Sequence, residues 1–293
     1  MTLVGENEMN IQQKFSKPTY GGALLAMALS WTMMAAPGRA EHLVVPLSNP
    51  AKPAELEVSL VMGSIKVTGG ATREVVIEAR SRAEGEDEKR KDKDLPGDRS
   101  GMRRIPNTAI GLEAEEEGNK VSISAESWAR AVDLEIQVPA GSSVSLSTVN
   151  DGVIEVANID GEVEVNNTNG EIRVTNVRGP VSANTVNGDV TVVFSAAMAA
   201  APMAFSTLNG DVDVTFPPGL KATVRLQSDN GEIYSDFDVA VATENLKGPE
   251  TKKEKGRYHV VVSREMIGNI NGGGPEILFK TFNGDVLLRR AKN

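Results

Sequence analysis

Residues 161–192 read GEVEVNNTNGEIRVTNVRGPVSANTVNGDVTV. Gly161, Gly170, Gly179 and Gly188 stand nine residues apart, and Gly152 precedes them at the same interval. Each is followed by apolar residues two and four places on: Ile154/Val156, Val163/Val165, Ile172/Val174, Val181/Ala183 and Val190/Val192. One short strand and one turn are therefore repeated, and such a fixed period dictates a whole architecture. The unit continues at Gly210 (Val212/Val214), Gly284 (Val286/Leu288) and Gly63 (Ile65/Val67). Gly231 keeps Ile233 but has Ser235 where the second apolar residue should be. Two glycine columns emerge, Gly152-Gly170-Gly188-Gly210-Gly231 and Gly141-Gly161-Gly179-Gly219, and a rung of 18–22 residues with two strand–turn units fits both.

Asn169-Gly170, Asn187-Gly188, Asn209-Gly210, Asn230-Gly231 and Asn283-Gly284 are reversal signals, because both residue types tolerate positive φ. Asn-Gly is also a hairpin signal. A two-residue hairpin would set Val186 opposite Asp189, Leu208 opposite Asp211 and Phe282 opposite Asp285, an apolar residue facing a carboxylate each time. A solenoid corner makes no such demand. Like residues stack on like in adjacent rungs, with Val, Ile and Leu inside and Asn and Thr as polar ladders. The expectation is an all-β, single-domain β-solenoid (β-helix) with Asn-Gly corners.

The boundaries follow from composition. Lys14 and Lys17 precede the apolar run 23–36 (ALLAMALSWTMMAA), and Gly38-Arg39-Ala40 offers small residues for cleavage. Residues 1–40 thus read as a secretory signal peptide cleaved after Ala40, with residues 41–293 as the solenoid domain. Met9 is an alternative start. The expected location is the periplasm or cell surface. A chain without cysteine has no disulfides, thiol catalysis or lipobox anchor. Residues 41–293 carry 28 basic and 38 acidic side chains, a net of −10, which disfavours nucleic acid and anionic lipid. No second hydrophobic segment follows, so no transmembrane span is expected in the mature chain. Strands are expected at 56–61, 65–68, 75–79, 110–114, 121–125 and 134–138. Residues 81–104 and 247–257 read as charged loops, and 195–203 (SAAMAAAPM) as a turn of helix or a corner excursion.

The stretch from Asp133 to Leu288 combines Thr185-Val-Asn-Gly-Asp189, Thr207-Leu-Asn-Gly-Asp211, Asn271-Gly-Gly-Gly-Pro275 and Thr281-Phe-Asn-Gly-Asp285. It resembles the bacterial "putative adhesin" family of domains of unknown function, exported β-solenoid proteins of the cell envelope. The resemblance implies fold and compartment and brings no catalytic residues with it.

The chemistry-bearing residues are few. Acids follow the turn glycines (Glu171, Asp189, Asp211, Glu232, Asp285), but the multiple glycines of calcium-binding repeats are missing, so no metal is expected. Only His42 and His259 exist, and no serine lies in a G-x-S-x-G elbow. The expectation is no enzyme, no catalytic or metal residue and no cofactor, with an envelope or extracellular partner, protein or glycan. The alternative is a carbohydrate-binding or carbohydrate-active protein on the same fold. It needs convergent carboxylates and an aromatic platform, for which Trp128, Tyr234 and Tyr258 are the candidates. Trp128 reads better as a cap over an open solenoid end.

Overall fold

The computed structural model describes residues 40–82, 111–125, 130–195, 198–241, 250–254, 257–261 and 265–292. Residues 1–39 of the expected signal peptide, almost all of the 81–104 loop and Trp128 lie outside these residues. The described residues are all strand or connection and fall in one compact unit, Pro37–Asn293.

The first strands are β1 (Ala40–Pro46), β2 (Glu55–Met62), β3 (Ile65–Gly70), β4 (Glu74–Ser81), β5 (Leu112–Glu117), β6 (Lys120–Ala125) and β7 (Val132–Pro139). The repeat proper supplies β8 (Ser143–Asn150), β9 (Ile154–Ala157), β10 (Val163–Asn167), β11 (Ile172–Val177), β12 (Val181–Asn184), β13 (Val190–Phe194), β14 (Met203–Ser206) and β15 (Val212–Phe216). Then come β16 (Ala222–Asn230), β17 (Ile233–Ser235), β18 (Val239–Val241), β19 (Glu250–Glu254), β20 (Arg257–Val261), β21 (Met266–Ile270), β22 (Glu276–Asn283) and β23 (Val286–Arg290).

Through the repeat the chain alternates between two large sheets, one strand in each per rung. One sheet runs β1-β4-β7-β3-β9-β11-β13-β15-β23-β17, the other β18-β21-β16-β22-β14-β12-β10-β8-β2-β6-β5. From β9 to β15 neighbouring rungs pair in parallel and in register: Ile154, Ile172, Val190 and Val212 form one row, and Val156, Val174, Val192 and Val214 the next. These inward residues are fully buried, as the period-2 alternation requires. Towards the C-terminal end the core thickens with Phe194, Phe205, Phe216 and Phe279. Phe194 stacks on Phe216 at 5.0 Å, and Phe205 meets Phe279 across 5.4 Å. The solenoid expectation holds, with two strands per rung.

The order of the rungs is not the order of the chain. The last rung, β22–β23, lies between β14–β15 and β16–β17, pairing in parallel with all four strands. The other end does the same. The β2–β3 rung lies between β6–β7 and β8–β9. Gly284 thus separates Gly210 from Gly231, where the spacing had set those two side by side. A Cβ on Gly284 would overlap the Gly210 carbonyl, and one on Gly231 the Gly284 carbonyl. The second column is shorter than its spacing suggested. Gly161 and Gly179 stack closely, whereas Gly141 and Gly219 have open space.

Two other expectations change, and one open pair of readings is decided. No strand is expected before residue 56, yet β1 (Ala40–Pro46) pairs antiparallel with β4. Residues 250–254 and 257–261, within and beyond the second charged loop, form an antiparallel pair that includes His259. The described part of 195–203 is a corner excursion leading into β14, without helix.

Candidate functional site: the Asn-Gly corner

Every Asn-Gly turn connects the second sheet to the first, so all of them lie on one edge of the solenoid. Three ladders are built there from successive positions of the repeat. Innermost, Thr148, Asn167, Thr185, Thr207, Thr281 and Ser228 are buried. Each donates its side chain to the carbonyl of the preceding rung's turn glycine: Gly63, Gly152, Gly170, Gly188, Gly210 and Gly284, at 2.8–3.1 Å. A hydroxyl here answers a carbonyl that the turn leaves unpaired. Asn167 meets Gly152 through Nδ2, and its buried Oδ1 has no protein partner.

The next ladder is asparagine. Asn169 donates to Asn150, Asn187 to Asn169, Asn209 to Asn187, Asn283 to Asn209 and Asn230 to Asn283, at 2.7–3.1 Å. Six side-chain amides thus form one unbroken chain along the stack. The third ladder is acidic. Asp189 Oδ1 accepts the Asp211 backbone amide, Asp211 Oδ1 that of Asp285, and Asp285 Oδ1 that of Glu232, at 2.7–2.8 Å. Each of these carboxylates ties one rung to the next. Among the described residues, none of Asp189, Asp211 and Asp285 forms an ion pair with a Lys or Arg side chain. Likewise, among the described residues no three His, Asp or Glu side chains gather as a metal site.

Between the hydroxyl and asparagine ladders stands one outward residue per rung: Val149, Thr168, Val186, Leu208, Phe282 and Asp229, in spatial order. The carbonyls of Val149, Val186 and Leu208 accept the amides of Asn169, Asn209 and Asn283, which fixes that order. Val149, Val186, Leu208 and Phe282 are 44%, 39%, 47% and 45% exposed. They form an apolar ridge along the corner. At about 4.8 Å per rung, the four steps from Val149 to Phe282 cover about 19 Å. Sequence reasoning passed over this ridge. Its signal was present in the apolar x of T-x-N-G-D, but that residue served only to exclude a hairpin.

The chain belongs to the Toastrack DUF4097 family. The family's description matches residues 6–271, most of the chain. Two solved structures are similar in shape. One, "a putative cell adhesion protein" from Clostridium sporogenes ATCC 15579, has 10% identity and a TM-score of 0.42, over 86% of this chain and 100% of that one. The other, "a putative adhesin" from Bacteroides fragilis NCTC 9343, has 9% identity and a TM-score of 0.39, over 86% and 97%. No curated protein matches the chain.

Elsewhere on this Toastrack chain lie two larger clefts among the described residues. On the opposite corner, a cleft of about 400 Å³ is walled by Met198, Met203, Pro217, Leu220, Pro275 and Ile277. It explains the Ala/Met excursion, which supplies one wall. On the outer face of the second sheet, a polar cleft of about 510 Å³ includes Glu55, Lys120, Glu162 and Glu164. Lys120 is engaged by Glu57 at 2.9 Å and Glu55 at 3.5 Å, and no aromatic residue lines the cleft. Of the sequence candidates, His42 is exposed on β1 and Tyr234 is exposed on β17. Neither lines these two clefts.

Proposed function

We propose that the chain is an exported, non-catalytic envelope protein whose solenoid presents an adhesion-type binding or scaffold surface. The observation that carries this is the exposed apolar ridge Val149-Val186-Leu208-Phe282, set on a frame of three hydrogen-bonded ladders. Apolar side chains scattered singly on a surface need no explanation, but a line of them beside polar ladders is the mark of an interaction surface. The frame is rigid, because backbone and side-chain bonds join every rung to the next. The three-part N-terminal pattern supports export, with residues 1–40 removed and residues 41–293 as the working domain.

Two measurements test this reading. Intact mass of the exported product should correspond to a chain beginning at Glu41; the full-length mass in the cytoplasm would contradict export. The purified chain should co-sediment with cell envelopes of the producing organism, and the triple variant V186T/L208T/F282T should lose most of that binding. Undiminished sedimentation of the variant would remove the ridge from the reading.

A further inference from the structure

The fold leaves the ridge position free. Thr168 fills it in one rung and Asp229 in another, and the hydrogen-bonded stack runs through both without a break. Four of six are nevertheless aliphatic or aromatic, so the choice was made for something outside the molecule. Beside the ridge, three residues further along each rung, runs the line Asp189-Asp211-Asp285. These carboxylates repeat at the rung spacing of about 4.8 Å, close enough for mutual repulsion and for a summed field that favours a cation. A second copy of this chain is a poor occupant, since it carries net charge −9 and the same acidic ladder.

The period of the ridge selects the shape of the partner. Along an extended strand, side chains on one face recur about every 6.7 Å. Along an α-helix, one face recurs about every 5.4 Å, one turn. The rung spacing is nearer the helix, and the unbroken apolar stretch from Val186 to Phe282, two rungs or about 9.6 Å, corresponds to just under two turns. We propose that this corner docks a short cationic amphipathic α-helix from another protein. Its apolar stripe lies along Val186, Leu208 and Phe282, and its Lys or Arg flank lies over Asp189, Asp211 and Asp285. This rests on the reading of the corner as a binding surface and specifies its partner.

The test uses a 14-residue Leu/Lys peptide with leucines at i, i+3, i+4 and i+7, a scrambled peptide of the same composition, and the Leu/Glu counterpart. Binding is read by calorimetry and induced helicity by circular dichroism. Two triple variants accompany the natural chain. V186T/L208T/F282T copies the residue type of Thr168, and D189N/D211N/D285N keeps the Oδ1 acceptors while removing charge. Melting curves of both should match the natural chain. The amphipathic Leu/Lys peptide should bind and become helical, at least tenfold more tightly than the scramble, with both variants weakening it at least tenfold. No binding, equal binding of the scramble, or an effect confined to the acid variant would overturn the proposal. If the peptide fails while envelope sedimentation still depends on the ridge, the helical partner is wrong and the binding surface stands; loss of both dependences removes both.

Discussion

The side-chain amide of Asn283 donates to Oδ1 of Asn209 at 2.7 Å, although 74 residues separate them in the chain. The contact is one link in an asparagine ladder whose links from Asn150 to Asn209 join residues 18 to 22 apart, while Asn230 reaches Asn283 across 53. Through it the C-terminal rung becomes an interior rung, and Phe282 joins Leu208 on one continuous ridge.

Burial predicts the response of the core. Val190 and Val212 are fully buried in a dry row, so Val190→Asp or Val212→Asp would place an unpaired charge there. Neither variant should yield a folded chain. Thr191 points away from that row, and Thr191→Ala should change stability by no more than about 0.5 kcal/mol. Thermal melts of the three variants check this; an ordinary melt for Val190→Asp would reverse the facing of the strand.

Asn167 is the exception among its ladder's hydroxyls, and its buried Oδ1 is unpartnered. Asn167→Thr should let the hydroxyl reach the Gly152 carbonyl as Thr185 reaches Gly170, removing the orphaned oxygen. A gain of about 1 kcal/mol is expected by chemical denaturation. A loss of stability would show that the oxygen is satisfied in solution.

Two glycines, one in an Asn-Gly corner and one after Pro218, should behave oppositely. Gly284 has φ +151° and its missing Cβ leaves room for the Gly210 carbonyl, so Gly284→Ala should cost about 3 kcal/mol or more. Gly219 has open space around the Cβ position. Gly219→Ala should be neutral or stabilise by up to about 1 kcal/mol through the unfolded chain. Paired denaturation curves decide this, and equal costs would refute the stacking assignment.

Arg82 ties the N-terminal end together. Its guanidinium donates to both Asp133 oxygens at 2.7 and 2.8 Å and to the Asp151 carbonyl at 2.9 Å, while Asp133 also accepts the Ser64 amide. Partial burial by itself would raise the Asp133 carboxyl, but Arg82 and the Ser64 amide outweigh it and hold the group below its ordinary value. A depressed carboxylate stabilises the fold above its unfolded pKa of about 4 and loses that contribution as pH falls through the folded value. Asp133→Asn should therefore destabilise at pH 7, by about 1 kcal/mol given the part-exposed pair. The gap from the natural chain should close below about pH 4. Melting temperatures across pH 2–8 check the sign; a gap that widens in acid would contradict it.

The central repeat was legible because each nine-residue unit carries its own turn, inward pair and polar corner. The order of the rungs was not. Thr207-Leu-Asn-Gly-Asp211 and Thr281-Phe-Asn-Gly-Asp285 present the same corner chemistry, so either can stack on the same neighbour and spacing alone favours the nearer in sequence. Strand β1 was hidden by its ending in Pro46, and β19 by its run of charges, ETKKE, which lacks apolar alternation. The ridge was missed because the apolar residue of the turn motif was weighed only against a hairpin, and only the register shows it facing outward in line with its neighbours.

Paired cysteines test the continuous corner most directly, since the chain has no cysteine of its own. Asn209 and Asn283 are bridge partners on adjacent rungs, within reach of a disulfide. Asn209 and Asn230 are two rungs apart, about 9.6 Å and too far. Under mild oxidation, N209C/N283C should close an intramolecular disulfide, found as a linked peptide by mass spectrometry, while N209C/N230C should stay reduced. Closure of the 209–230 pair with the 209–283 pair open would return the rungs to sequence order and break the ridge between Leu208 and Phe282.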